Sequence, residues 1–178
     1  LDSYVASPHN YYLVFDKADQ KARLLPWDVN EAFGTHTMGT TSIDLVKWDI
    51  TKPWAAEIPL LERLFATEEF PKLYWKKLKT LMQETFTEKH LFARIATFEK
   101  NLKPHLNKNE RASLQKGIQG TISAQNTFAI KPFIKQRIES VQAQLTGKSK
   151  GVKIEGRSGR SGQSPRERGG PPTQHRLK

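Results

Sequence analysis

Residues 2–34 read DSYVASPHNYYLVFDKADQKARLLPWDVNEAFG, and this stretch decides the fold of the chain. It contains two runs typical of β-strands, NYYLVF at residues 10–15 and ARLL at residues 22–25. The polar segment between them, residues 16–20, has the composition of a turn. The sequence therefore predicts a β-hairpin at the start of the chain.

Polar side chains flank this predicted hairpin. Asp2 and Asn10 precede it, and Asp28 and Asn30 follow it. A hairpin brings its two ends together, so these carboxylate and amide oxygens can gather around a metal ion. Magnesium prefers hard oxygen ligands, usually one or two carboxylates together with the phosphates of a substrate. Each residue also has an ordinary structural interpretation, as a turn-forming Asp or an Asx cap.

Three motifs in a fixed order carry a family resemblance. HNYYL at residues 9–13 is followed by LPWD at 25–28 and AFG at 32–34, and the similarity continues through PLLERL at 59–64 to about residue 145. This order resembles the CotH kinase family, named for spore coat protein H. The family pattern is an Asp-Ser-Tyr-like turn, then HNYYLY, then PWDLDxxFG. Asn30 stands where that pattern has a second acid.

The resemblance implies a kinase-like site for ATP- and magnesium-dependent phosphotransfer to Ser or Thr of a protein substrate. Asp2 would be the catalytic residue that orients the attacking hydroxyl. Asn10 and Asp28 would bind the nucleotide through magnesium, with Asn30 as a third residue of the metal site. The nucleotide-clamping N-terminal lobe of such proteins would lie upstream of Leu1. The chain is therefore expected to be a C-terminal lobe with negligible turnover when isolated.

The expected fold class is α+β and predominantly α, with the hairpin at residues 2–34 followed by helices within residues 58–145. Apolar residues recur at helical spacing from Ile58 onward. Thr67 and Thr87 have the positions of helix caps. A first helix is predicted to begin near residue 58, and further helices are predicted at 67–85, 87–104, 110–119 and 127–145. Residues 43–48 are expected to form a short strand or an extended edge. The hydroxyl-rich residues 35–42 are expected to form either an ordinary surface loop or a substrate contact.

The net charge of +11 is concentrated at the end of the chain. Residues 147–178 carry nine basic and two acidic residues, a net of +7, and residues 1–146 carry 20 and 16, a net of +4. Gly, Ser, Pro and Arg dominate the last segment, which predicts a disordered basic tail at 147–178 after a folded unit at 1–146. Aromatic residues do not interleave the arginines, so no specific nucleic-acid partner is expected.

Several classes of site are excluded by residue content. The chain has no Cys, which rules out disulfides, thiolate metal sites and cysteine catalysis. The five histidines show no metal-ligand spacing. No apolar run is long enough for a membrane span. The localisation stays open from the residues alone, and the resemblance points to a spore coat, a cell surface or a secreted protein.

Two other functions compete with phosphotransfer. The first is a kinase-shaped adhesion or interaction protein of the cell surface or coat that has lost its chemistry, an alternative kept open by Asn30. The second is a structural coat component, which would bind no nucleotide. Magnesium-dependent nucleotide binding by the full-length protein separates these alternatives.

Overall fold

The computed structural model describes residues 3–37, 39–55, 57–120 and 129–155. A β-hairpin comes first, and a set of helices follows it. The elements are β1 (Tyr11–Asp16), β2 (Lys21–Pro26), α1 (Ser42–Val46), α2 (Pro59–Phe65), α3 (Glu69–Glu84), α4 (Glu88–Leu102), α5 (Lys108–Gln119) and α6 (Ile130–Leu145), with 3-10 turns at Val29–Glu31 and Lys103–His105. The prediction of a mixed, mostly helical chain with a small β element is confirmed.

The hairpin forms because its turn residues satisfy their own backbone. β1 and β2 pair antiparallel from Tyr11 opposite Pro26 to Asp16 opposite Lys21. Asp16 Oδ1 accepts a 2.9 Å hydrogen bond from the Ala18 amide, which is the Asx geometry that starts a turn. Gln20 closes the turn in the left-handed region with φ 56°.

The main core lies where α3, α4 and α6 meet. Its buried residues come from α3, α6 and the segment before α2. They are Ile50, Met82, Ile134, Ile138 and Val141. Trp75, Leu78, Phe92 and Ile95 pack against them from α3 and α4. Part of the apolar stripes predicted from helical spacing is therefore buried between α3, α4 and α6, while other predicted stripe residues stay exposed, namely Leu73, Leu81, Phe98 and Leu102.

Residues 43–48 differ from the predicted strand. Residues Ser42–Val46 form α1, because Thr41 and Asp44 build a capping box. The Thr41 hydroxyl accepts from the Asp44 amide at 3.1 Å, and the Asp44 carboxylate accepts from the Thr41 amide at 3.2 Å. Two backbone donors at the helix start are satisfied in this way, which favours a helical turn over an extended edge.

The predicted tail boundary at residue 147 also differs from the structure. The Val152 amide donates to the Lys47 carbonyl at 2.7 Å, and the Asp49 amide donates to the Val152 carbonyl at 2.9 Å. Ile154 packs against the second buried cluster, which contains Leu45 and Phe133. Residues up to 155 thus contact the folded unit because Val152 and Ile154 supply apolar side chains. The rest of the predicted tail, 156–178, lies outside the described residues.

No helix in the described part of the chain is both long and apolar enough to cross a membrane.

Candidate functional site

The two ends of the hairpin are joined beyond the last strand pair. The Trp27 amide donates a 3.0 Å hydrogen bond to the Asn10 carbonyl, which extends the ladder one step past Tyr11 and Pro26. Asn10 therefore lies across from Trp27, and Asp28 follows immediately. The hairpin brings these two predicted site residues to the same end of the sheet.

Both residues occupy a backbone conformation that few side chains adopt. Asn10 has φ 58°, and Asp28 has φ 53° and ψ 51°. Asn and Asp are the non-glycine residues that enter this left-handed region most readily. The backbone thus turns sharply at each end of the hairpin, at the two positions that carry short oxygen-bearing side chains. Strained backbone of this kind clusters at functional sites.

The residues that follow the hairpin pack against α6. Phe33 also has a positive φ, 58°, which is unusual for a bulky aromatic residue. Its ring meets that of Phe133 edge-to-face, with 6.5 Å between ring centroids. Gly34 follows with φ 84° and lies directly against the Phe133 ring. The Ser42 hydroxyl donates to the Gly34 carbonyl at 3.3 Å. These contacts fix the position at which the chain leaves the candidate site.

The predicted site residues differ in their surroundings. Asn10 is half-buried, while Asp28 and Asn30 are exposed, Asn30 within the 3-10 turn Val29–Glu31. Asp2 lies outside the described residues, so its predicted role is carried by the sequence alone. The structure therefore places Asn10 and Asp28 at the same end of the hairpin, with Asn30 two residues further along.

The resemblance implies a magnesium ion, which Asn10 and Asp28 would hold together with the phosphates of a substrate. Among residues 3–37, 39–55, 57–120 and 129–155, no three His, Cys, Asp or Glu side chains are grouped so that they could hold a metal by themselves. Asn10 and Asp28 offer one amide and one carboxylate. Magnesium is bound in this way where one or two carboxylates act with substrate phosphates rather than as a closed protein cage. The same set would be poor for a structural metal.

A threonine loop, residues 35–41, leads from the hairpin to α1. The Thr35 hydroxyl donates to the Ala32 carbonyl at 3.0 Å, and the Thr40 hydroxyl to the Asp44 carboxylate at 3.1 Å. The hydrogen bond from the Thr41 hydroxyl, aided by that from Thr40, holds the pKa of Asp44 below its ordinary value. Hydroxyl groups at both ends of this loop are thus used to fix its path.

No sequence pattern predicted the side chains that hydrogen-bond to the backbone at the end of α1 and directly after it. We define the anchored segment as residues 46–50. Arg137 and Gln144 of α6 and Tyr74 of α3 all hydrogen-bond to its backbone. Arg137 lies within the apolar stripe of α6, between Ile134 and Ile138. A basic residue at an inward helical position is the signal that would have identified it.

Comparison with known proteins gives one family match. The family described as CotH kinase protein matches residues 1–141, which include the hairpin and most of the helices. No curated protein and no solved structure matches the chain. The matched region is most of the chain and contains every predicted site residue. The chain therefore belongs to the CotH kinase family.

Proposed function

We propose that this chain supplies the metal-binding and hydroxyl-orienting half of a protein kinase that transfers phosphate from magnesium–ATP to Ser or Thr. Family membership indicates a kinase-type function in general. The observation that carries the finer proposal is the hydrogen bond between Trp27 and Asn10, since it aligns Asn10 with Asp28 at one end of the hairpin.

The proposed roles follow from what phosphoryl transfer requires. The substrate hydroxyl oxygen forms a bond to the γ-phosphorus, the bond from that phosphorus to the β,γ-bridging oxygen breaks, and ADP leaves. Asp2 would orient the hydroxyl and receive its proton. Asn10 and Asp28 would hold magnesium, which neutralises charge on the phosphates. Because the protein mainly positions charge, a few well-placed oxygens suffice.

The surface of the hairpin supports a two-lobed arrangement. Large apolar side chains on both strands are open to solvent, with Tyr12 63% and Phe15 72% exposed. A two-stranded hairpin is marginally stable when it packs on nothing else. Large apolar side chains exposed together on one small element support an interaction site there. The proposed cover is the nucleotide together with an N-terminal lobe of the same protein.

The loss of one carboxylate of the family pattern at the candidate metal site favours a second function. Asn30 occupies the place of the family's second acid, so Asp28 is the carboxylate of the family pattern that remains at this end of the hairpin. A kinase-shaped adhesion or coat protein without chemistry would carry such a site. In that case the apolar hairpin would serve as a surface for a protein partner.

One experiment separates the two functions. The full-length protein that contains this chain is titrated with ATP in the presence of magnesium and again with a chelator. It is then incubated with a Ser/Thr-containing protein and labelled ATP. Magnesium-dependent ATP binding and labelled phosphoserine or phosphothreonine support the kinase. If the protein is folded but binds no nucleotide and transfers no labelled phosphate, the result supports the adhesion alternative.

A further inference from the structure

A groove of about 730 Å³ lies between the C-terminal end of α3 and α4, and the proposed phosphotransfer does not use it. The α4 residues that line it alternate with Leu91 and Ile95, which pack on the main core. The groove is therefore on the solvent side of the helix, opposite to its buried stripe. We call this surface the basic groove. Its walls include Gln83, Glu84, Lys89, His90, Ala93 and Arg94.

The side chains of the basic groove give it a positive potential. Lys89 and Arg94 contribute two positive charges against one negative charge from Glu84, and His90 adds a third cation when it is protonated. Lys89, His90 and Arg94 are exposed, and in the described part of the chain no salt bridge involves any of them. The positive charge in the groove exceeds the negative charge there and remains available to an anionic partner.

The helix α3 extends this positive surface beyond the groove. Lys76 and Lys79 stand seven and four residues before Gln83, at spacings that share one face of a helix. Lys72 continues the same row, and its ammonium group is paired with the Glu68 carboxylate. For Lys76 and Lys79, which are nearer to the groove, the described residues supply no such ion pair. A chain that enters the groove therefore meets cations from both helices.

The cations of the groove require a ligand that supplies hydrogen-bond acceptors. Its two hydroxyl groups serve α4 itself, since Thr87 Oγ1 accepts the His90 amide at 3.2 Å and the Thr97 hydroxyl donates to a backbone carbonyl of the helix at 3.0 Å. The ammonium of Lys89 and the guanidinium of Arg94 can only donate. Carboxylates are the acceptors that match a guanidinium in shape and charge.

The spacing of the cations favours an extended acidic peptide over other polyanions. His90 and Arg94 are one helical turn apart, about 6 Å along the axis of α4. Alternate residues of an extended chain point to the same side and are about 6.6 Å apart, so acids at alternate positions match this spacing. The lining residues include neither an aromatic ring for base stacking nor a large apolar side chain for insertion into a bilayer.

We infer that the basic groove binds an extended acidic segment of a partner protein, whose carboxylates pair with Arg94, His90 and Lys89. Glu84 opposes this binding and weakens it. The inference does not depend on phosphotransfer, because no residue of the candidate site lines the groove. It assigns to the helices a protein-binding surface separate from the exposed strands of the hairpin.

The test measures binding of a fluorescein-labelled peptide of alternating Glu and Ala to the full chain, by fluorescence anisotropy at low salt. Arg94→Gln is expected to weaken binding about three- to fivefold, because one exposed charge pair is lost. Glu84→Gln should tighten binding by about twofold, since a repulsive charge is removed. The matched control is Arg63→Gln, which changes an exposed arginine of α2 outside the groove and should leave the affinity unaltered. A peptide of alternating Gln and Ala should not bind.

The location of the bound peptide needs its own measurement, because the basic residues after residue 156 also attract an acidic peptide. Backbone amide chemical shifts of the full chain provide it. We expect the peptide to shift amides within residues 76–97 in the parent, and to shift them less in Arg94→Gln. Thermal unfolding of each variant confirms that the exchanged surface side chain leaves the protein folded.

Three results would overturn the inference. Equal losses of affinity in Arg94→Gln and Arg63→Gln would show a general attraction between opposite charges. Unchanged amide shifts at residues 76–97 would place the peptide elsewhere on the chain. Tighter, Arg94-dependent binding of a phosphoserine peptide, a single-stranded oligonucleotide or phosphatidylserine vesicles would assign the groove to a different polyanion.

Discussion

Gly34 lies against the ring of Phe133 so closely that a Cβ atom on residue 34 would stand 2.7 Å from Phe133 Cδ2. The same glycine has φ 84°, a conformation that L-residues rarely adopt. The chain leaves the candidate site at this residue, and α6 receives it there. Docking of the hairpin on the helices therefore depends on the absence of a side chain at position 34.

Replacing Gly34 with Ala should destabilise the protein strongly. The left-handed conformation costs roughly 1–2 kcal/mol for a residue with a Cβ. Overpacking against an aromatic ring adds about 1–3 kcal/mol. The expected loss in the free energy of unfolding is about 2–5 kcal/mol, which urea denaturation measures.

Gly39→Ala is the matched control for this variant. Gly39 also has a positive φ, 89°, but no described atom lies within 4 Å of its ideal Cβ position. Only the conformational cost remains, so the loss should be roughly 1–2 kcal/mol. Adding Phe133→Leu to Gly34→Ala should give a double variant whose loss is smaller than the sum of the two single losses. Equal losses for the two glycine variants would show that Phe133 does not crowd position 34.

Gly117→Ala should stabilise the protein. Gly117 lies inside α5, and no described atom outside its own helix backbone stands within 4 Å of its ideal Cβ position. Ala is better than Gly in a helix by about 0.8–1 kcal/mol, and a gain near this value is expected in urea denaturation.

The contrasting variant is one residue beyond the same helix. A Cβ on Gly120 would stand 2.6 Å from the Lys116 carbonyl oxygen, so Gly120→Ala should destabilise. A gain at both positions, or at neither, would contradict the packing at the end of α5.

Tyr74 should make stability depend on alkaline pH. Burial raises its pKa to about 12, the charge of Arg137 opposes this shift and that of Asp49 adds to it. Because the folded pKa exceeds the ordinary value of about 10, the contribution of the neutral phenol is complete below pH 10. It is lost as the pH rises from about 10 through about 12.

Tyr74→Phe should remove the contribution of the phenol to the pH dependence between about pH 10 and pH 12. It should also cost about 1 kcal/mol at neutral pH, because the hydrogen bond to the Ile50 carbonyl disappears. Urea denaturation at several pH values measures both effects, with Tyr12→Phe on the exposed hairpin as the control. The same dependence of the free energy of unfolding on pH above pH 10 in the parent and in Tyr74→Phe would contradict the assignment.

Much of the fold could be predicted because its signals are local. The hairpin is marked by its turn residues Asp16 and Asp19, whose carboxylates accept backbone amides within two residues. α4 begins at the cap Thr87, and its hydroxyl accepts the His90 amide at 3.2 Å as the sequence indicates. In such places the residue and its partner are neighbours in the chain.

The missed features depend on distant partners or on very short elements. α1 has five residues, too few for helical periodicity, and only the capping box of Thr41 and Asp44 marks it. Arg137 and Val46 are 91 residues apart, and no local pattern pairs them. The edge formed by Val152 with residues 47–49 was likewise hidden, because the surrounding residues have the composition of a tail.

Asp28→Asn is the variant that tests the candidate site. The left-handed backbone at residue 28 makes Asn the suitable replacement, because Asn tolerates φ 53° and an Ala would add strain of its own. The change removes one negative charge and keeps the shape of the side chain. In the full-length protein we expect magnesium-dependent ATP binding to weaken by at least about tenfold and phosphotransfer to disappear, with unfolding unchanged.

Two further variants serve as comparisons for Asp28→Asn. Asp19→Asn makes the same chemical change at the opposite end of the hairpin, where Asp19 pairs with Arg23, and it should leave ATP binding and transfer unaltered. Asn30→Asp should be tolerated and should tighten magnesium binding, since it restores the acid of the family pattern beside Asp28. If Asp28→Asn and Asp19→Asn both retain normal metal dependence and turnover, the hairpin does not carry the metal-binding residues of a kinase. The exposed apolar strands would then be best explained as the contact surface of an adhesion protein.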